Sequence, residues 1–87
     1  MLLAWDEKAW DDYCDWQTKD KKTLKRINSL LDDIRRNGYK GIGNPEPLKH
    51  DLKDCWSRRI DEKNRLVYTI EGDTAFILQC RSHYGDK

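Results

Sequence analysis

The sequence predicts an α+β domain, with two N-terminal helices packed on one face of a small, mainly antiparallel sheet. Three observations predict it. Apolar residues recur at helical spacing through the first 37 positions; three short β-type runs separated by polar turns fill residues 55–82; and a Gly/Pro-containing stretch from Gly38 to Pro47 joins the halves. The 87 residues make one domain, 1–87, too short for two cores. A domain of this size buries only about 60–65% of the surface its unfolded chain exposes.

The elements follow in order. Leu2 to Trp5 is an apolar run with the length of a short strand, ending at Asp6, a good N-cap, with Glu7 placed to favour the helix macrodipole. From Glu7 to about Gln17, Ala9, Tyr13 and Trp16 fall at helical spacing with Trp10 and Cys14 beside them, an aromatic stripe that packs a core or presents a platform to a base or partner. Asp20 caps a second helix, in which Leu24, Ile27, Leu31 and Ile34 mark the buried side and which runs to Asn37, where Gly38 supplies the left-handed stop. Its Lys21, Lys22, Lys25, Arg26, Arg35 and Arg36 point elsewhere, as a solvated face or as contacts for RNA phosphates. Cys55 to Ile60, Arg65 to Ile70 and Thr74 to Ser82 then form three antiparallel strands, turned at Asp61–Asn64 and Glu71–Asp73. The middle strand has apolar residues on both faces and is therefore central. Alternation in the last strand predicts Phe76, Leu78 and Cys80 on the helix side, with Gln79, Arg81 and His83 on the open side.

Charged residues make up 38% of the chain, a share that leans towards disorder, but four tryptophans and clear periodicity oppose it. Net charge is only +1, and it is unevenly spread: the first twenty residues hold six acids against two bases, the rest fifteen bases against ten acids. Cys14, Cys55 and Cys80, an odd number without a Cys-x-x-Cys pair, fit neither a disulfide framework nor a zinc knuckle, and point to a reducing cytoplasm. No apolar run reaches the ~18 residues of a membrane span, and the opening apolar run is too short for a signal peptide. Repeats and low-complexity tracts are absent.

The basic second half holds the parts needed to move protons around a phosphodiester. Glu46 lies between two prolines, and a residue before proline is forced into an extended conformation, so its carboxylate sits on a restrained backbone suited to a general base or simply to a rigid linker. Arg58, Arg59, Arg65 and Arg81 come from strands or their ends, where they serve as surface charges or as fixed cations opposite a phosphorane-like transition state. Lys49 adds another cation; in an extended segment it shares a face with Pro47 and Asp51 and opposes His50. His83 has the chemistry to protonate a departing 5′-oxygen, since a free imidazole titrates near about 6.5, and Tyr84 can stack on a base or add a hydrogen bond. In a rival assignment His50 and His83 share the base and acid roles, with Glu46 orienting one of them. No metal site is read: His50, Asp51 and His83 lack a third good ligand at sensible spacing. No phosphate-binding glycine loop, Ser/His/Asp set or nicotinamide fingerprint occurs, so no cofactor is expected.

With these residues in view, the chain resembles the YoeB/Txe family of bacterial toxins within the RelE-like group of type II toxin–antitoxin systems. Pro45-Glu46-Pro47-Leu48-Lys49-His50, Trp56-Ser57-Arg58-Arg59-Ile60, Arg65-Leu66-Val67-Tyr68 and Cys80-Arg81 before His83-Tyr84 stand in the family's order, and Trp10-Asp11-Asp12-Tyr13 and Trp16 also fit. The resemblance covers essentially the full length. It implies a metal-independent endoribonuclease that cuts mRNA in the ribosomal A site through 2′-hydroxyl attack, neutralised by a cognate YefM/Axe-like antitoxin. Glu46 then matches the base, His83 the acid and Arg65 the transition-state cation, with Lys49, Arg59 and Tyr84 in support. Partners would be the antitoxin, the ribosome and mRNA, with a homodimer allowed in the free state and no membrane. Two positions depart from the pattern: the Gly85-Asp86-Lys87 tail continues past the usual His-Tyr end, and Asp54 replaces a usual glycine, which an Asp tolerates better than most residues in a left-handed turn. Two other functional classes remain open on the same scaffold, a ParE-like toxin that binds a protein target and a non-catalytic RNA-binding module.

Overall fold

Each helix starts where an aspartate side chain closes its first turn. Asp6 accepts a hydrogen bond from the Lys8 N–H and opens α1 (Glu7–Lys19), which runs two residues beyond the expected Gln17. Asp20 accepts from the N–H groups of Lys22 and Thr23 and opens α2 (Lys21–Asn37). Gly38, at φ 66°, ends α2 as its sequence position predicts, its N–H donating to the Ile34 carbonyl at 2.8 Å. A computed structural model describes residues 1–49 and 54–82 of the chain.

Five strands form one mixed sheet: β1 (Leu2–Trp5), β2 (Glu46–Pro47), β3 (Trp56–Arg59), β4 (Arg65–Glu71) and β5 (Thr74–Gln79), in the order β1-β5-β4-β3-β2. β1 runs parallel to β5 and all other pairs are antiparallel. β4 is central, as apolar residues on both its faces required. The edge strand β2 was not read as a strand. The pre-proline restriction makes Glu46 extended, which lets it pair with Ser57, and Pro47, having no N–H to donate, is tolerated because it lies at the edge.

The helices cover one face of the sheet. Ala9 of α1 and Ile27, Leu30, Leu31 and Ile34 of α2 meet Leu66, Tyr68, Ala75 and Ile77, with Ile60 and Cys80 closing the cluster. Leu24, expected at the buried stripe, is only half-buried, and Leu30 takes its place in the core. Trp10 and Cys14 are exposed, so the stripe of α1 is narrower than its aromatic content implied.

Arg58 lies wholly buried within this helix-facing layer. Its guanidinium pairs with the Asp33 carboxylate on α2 and donates to the carbonyls of Gly38 (2.7 Å), Lys40 (2.9 Å) and Ile42 (3.0 Å), while Nε donates to the Tyr68 hydroxyl at 3.1 Å. Every donor direction has a carbonyl, carboxylate or hydroxyl waiting, which is what makes a buried cation tolerable. The Arg58 hydrogen bond is the main cause holding the Asp33 carboxyl below its ordinary range. Arg58 is thus a tie between α2, the following loop and the sheet, and the expectation that it could face a phosphate is corrected. Gly43 lets the loop approach this closely: at φ 83°, a Cβ there would meet Leu30 Cδ2 at 2.7 Å.

The expected alternation of β5 is also corrected. Ala75 and Ile77 face the helices, whereas Phe76 and Leu78 stay outside the core cluster. The register steps from Val67↔Gln79 to Tyr68↔Ile77, leaving Leu78 as an extra residue in β5, and this bulge reverses the alternation so that Cys80 returns to the core. Arg81 consequently turns to α1, not to the open face: it donates to Asp12 (3.0 Å) and Asp15 (2.6 Å) and lies 4.8 Å over the Trp16 ring. Among the described residues no helix is long and apolar enough to cross a membrane.

Candidate active site on the open face of the sheet

The face away from the helices carries one cross-strand row of Glu46, Ser57, Val67 and Gln79, each opposite the next in register. The adjoining row sets Arg59 directly against Arg65. Since side chains two residues apart in a strand share a face, Glu46, Arg59 and Arg65 all belong to this one surface, with Glu46 one diagonal step, about 7–8 Å between backbones, from Arg59. Two like charges directly opposite destabilise a strand pair. Among the described residues neither guanidinium forms a salt bridge with a carboxylate; the Asp61 carboxylate is near enough for the Arg65 charge to lower it, but the pair remains a concentration of positive charge.

Among the described residues the Arg65 side chain is held by hydrogen bonds and the Arg59 side chain is not. Arg65, half-buried, donates from Nη1 to the carbonyls of Asp61 at 2.7 Å and Asn64 at 3.3 Å. Arg59 is exposed; its backbone is fixed by an N–H donated to Gly43 and a carbonyl accepting from Arg26. Glu46 is exposed on β2, and Lys49, also exposed, follows the Leu48 N–H that continues the edge pairing to the Cys55 carbonyl at 2.9 Å. The hairpin resumes at Asp54, whose φ of 75° is the left-handed geometry expected where a glycine is usual. His50, His83 and Tyr84 lie outside the described residues.

The chain leading to His83 is anchored at three successive residues. Cys80 accepts from Trp16 Nε1 at 3.0 Å and donates its thiol to the Ala9 carbonyl, and burial pushes that thiol up to about 12. Arg81 is tied to α1 by Asp12 and Asp15, and its hydrogen bond is the largest of the causes lowering the Asp15 carboxyl. Ser82 adopts φ 65°, donates its N–H to Asn64 Oδ1 at 2.6 Å, and accepts at its carbonyl from the Arg65 N–H (3.0 Å) and Gln79 Nε2 (2.9 Å). The chain therefore leaves Ser82 directly beside Arg65.

Residues 5–84 match the family described as the YoeB-like toxin of bacterial type II toxin–antitoxin systems. The chain belongs to this family. The toxin YoeB of Escherichia coli K12 is 52% identical over 84 residues, spanning 97% of this chain and all of the relative. Among solved structures, a YoeB/ParE toxin from Agrobacterium tumefaciens superposes with a TM-score of 0.93 at 42% identity, covering 97% of this toxin and 100% of that chain. The Staphylococcus aureus YoeB, seen both in a YoeB–YefM complex and as a YoeB dimer, gives a TM-score of 0.89 in each, at 43% and 44% identity, again over 97% of this toxin and 99% and 98% of those chains. Two helices on a five-stranded mixed sheet are thus the RelE-like α+β fold that the resemblance implied.

Sequence reasoning passed over the Asp61–Asn64 turn as a mere hairpin connection. Asp61 Oδ1 accepts the N–H groups of Lys63 (2.8 Å) and Asn64 (2.7 Å), and Asn64 Nδ2 donates to both carboxylate oxygens at 3.1 Å. Burial acts to raise the Asp61 carboxyl, but the Asn64 side chain, these two N–H groups and the Arg65 charge together hold it below its ordinary range. The available signal was an Asp at the turn's first position, a residue that bonds the backbone two residues on.

Proposed function

We propose that this toxin is an mRNA endoribonuclease acting on translating ribosomes, and the facing Arg59–Arg65 pair beside Glu46 is the observation that carries the reading. Glu46 takes the proton from a ribose 2′-hydroxyl, and the 2′-oxygen attacks the adjacent phosphorus. Negative charge then accumulates on the non-bridging oxygens of a five-coordinate phosphorus, where Arg65, pre-oriented by the Asp61 and Asn64 carbonyls, and Arg59 meet it without reorganising. His83, as an imidazolium, gives its proton to the departing 5′-oxygen. The products are a 2′,3′-cyclic phosphate and a 5′-hydroxyl; one proton has moved from the 2′-oxygen to Glu46 and one from His83 to the 5′-oxygen, and no step requires a metal or cofactor. Lys49 and Tyr84 hold the RNA, by charge and by stacking. Arg81 serves indirectly, by anchoring the chain ahead of His83 to α1.

A requirement for the ribosome suits an exposed base on a two-residue edge strand. Such a surface offers charge for a phosphate but little with which to bend an RNA into line, and the decoding site supplies a held, single-stranded codon. A cognate antitoxin of the YefM type would silence the toxin, and a free homodimer is part of the same proposal, as both assemblies are seen for the S. aureus relative.

Primer-extension mapping in a translation reaction tests the reading. New 5′-hydroxyl ends within A-site codons are expected with the wild-type toxin, together with their loss in Glu46→Ala and His83→Gln. Inhibited translation with intact mRNA would instead favour a toxin that binds a protein target.

A further inference from the structure

We infer that Asn64 is a positioning residue that couples Arg65 to the segment carrying His83, an inference that rests on the cleavage reading above. The Asn64 side chain bonds both the turn and the Ser82 backbone. Its Oδ1 accepts the Ser82 N–H at 2.6 Å, and its Nδ2 donates to the Asp61 carboxylate. The neighbours fix the orientation of the amide, because a backbone N–H demands the oxygen and a carboxylate demands the nitrogen.

The same turn that Asn64 braces also receives Arg65 Nη1 at the Asp61 and Asn64 carbonyls. The Arg65 N–H in turn closes on the Ser82 carbonyl at 3.0 Å. One side chain therefore sets the relation between the cation that faces the phosphorus and the residue immediately before the proposed acid, whose Cα follows that of Ser82 at about 3.8 Å. Ser82 has a reason to need this hold. Its φ of 65° is unfavourable for a residue with a Cβ and persists only where the surroundings impose it. Without the Asn64 bond, Ser82 loses one of the three hydrogen bonds that hold it at this φ, and the only one made by its N–H among the described residues. Asn64 touches no reacting atom in this scheme and acts through geometry alone.

The test uses three variants of the whole toxin: Asn64→Ala, Asn64→Asp, and the exchange Asp61→Asn with Asn64→Asp. The exchange preserves the net charge and all but one of these hydrogen bonds: of the two from Asn64 Nδ2 to Asp61, only one has a counterpart in reverse. An amide at 61 still accepts from the two turn N–H groups and donates to the new carboxylate, whose other oxygen accepts from Ser82. Asn64→Asp alone sets two carboxylates against each other. Single-turnover cleavage on programmed ribosomes gives the rate and the half-saturating toxin concentration, and hydrogen exchange reads the Ser82 amide. Displacements of about 1 Å at a reacting group cost on the order of 10²-fold in rate. Asn64→Ala and Asn64→Asp are expected to slow cleavage at saturation by about that factor, with unchanged half-saturation and faster Ser82 exchange, and the exchange variant to recover both rate and protection. Wild-type speed in a folded Asn64→Ala protein overturns the inference. So does an exchange variant that regains protection at Ser82 without regaining rate. If the wild-type toxin makes no cuts, the cleavage reading itself fails and takes this inference with it; wild-type cutting with an indifferent Asn64 removes the inference alone.

Discussion

Arg58 and Arg59 are neighbours in sequence and opposites in environment. Arg58 faces the helices, wholly buried, with Asp33, three carbonyls and a tyrosine hydroxyl around it. Arg59 faces the open side, exposed and set against another arginine. The same side chain on two faces of one strand shows how the sheet divides its cations: on one face Arg58 holds the loop and helix together, and on the other Arg59 and Arg65 stand opposite each other, where the proposed reaction would use them. Strand alternation alone makes the division, since a one-residue step changes the face.

The largest effect should come from breaking the buried side. Arg58→Met takes the guanidinium from Asp33 and from the Gly38, Lys40 and Ile42 carbonyls, and removing one partner of a buried pair costs about 3–5 kcal/mol. Urea denaturation should show a loss of that size, large against the 5–15 kcal/mol typical of a domain. A loss below about 1 kcal/mol would mean that Arg58 is not the tie described here.

On the open face the order of effects reverses. Arg65→Ala should slow cleavage on ribosomes by roughly 10²-fold or more, as removal of a transition-state donor does elsewhere, while the denaturation midpoint moves little. Should the unfolding curve shift as far as it does for Arg58→Met, the two faces would not be distinct in the sense argued.

Acid titration sharpens the buried side. The Asp33 carboxyl is depressed in the folded protein, so its contribution is fully present above the unfolded value of about 3.9 and is lost as pH falls through the lower folded value. The stability difference between wild type and Asp33→Asn should therefore be constant at neutral pH and shrink below about pH 4. The carboxylates of Asp15, Asp20, Asp32 and Asp61 are also lowered, which is why the difference between the two proteins, and not the wild-type curve alone, isolates Asp33.

The helices, their aspartate caps, the Gly38 stop and the central strand were legible because each depends on neighbours within a turn or two. Glu46 was legible in part: the prolines declared an extended backbone, but an edge strand of two residues has no periodicity to read. Arg58 was within reach, since alternation places it between Trp56 and Ile60, both apolar, and a cation in that row must find partners inside. Asp12 carried the same kind of signal three residues after Ala9. Arg81 was not legible, because its direction depends on the extra residue at Leu78, and a bulge is written in the register between two strands and not in either strand's sequence. The bridge from Asn64 to Ser82 spans eighteen residues and exists only once the hairpin has closed.

The smallest effect is the most discriminating because its sign is unusual. If Arg59 and Arg65 are kept together for a phosphate, their proximity costs stability in the free toxin, and like charges directly opposite in an antiparallel pair are unfavourable by roughly 0.2–1 kcal/mol. Arg59→Thr replaces one of them with a residue well suited to a strand. It should therefore stabilise the toxin by a few tenths of a kcal/mol while slowing cleavage, and the gain should fade as salt screens the repulsion in the wild type. Denaturation at low and high ionic strength measures it. A substitution that weakens the fold at both salt concentrations would place Arg59 with Arg58, among the residues that hold the molecule together, and would leave Arg65 as the sole cation of this facing pair with a claim on the substrate.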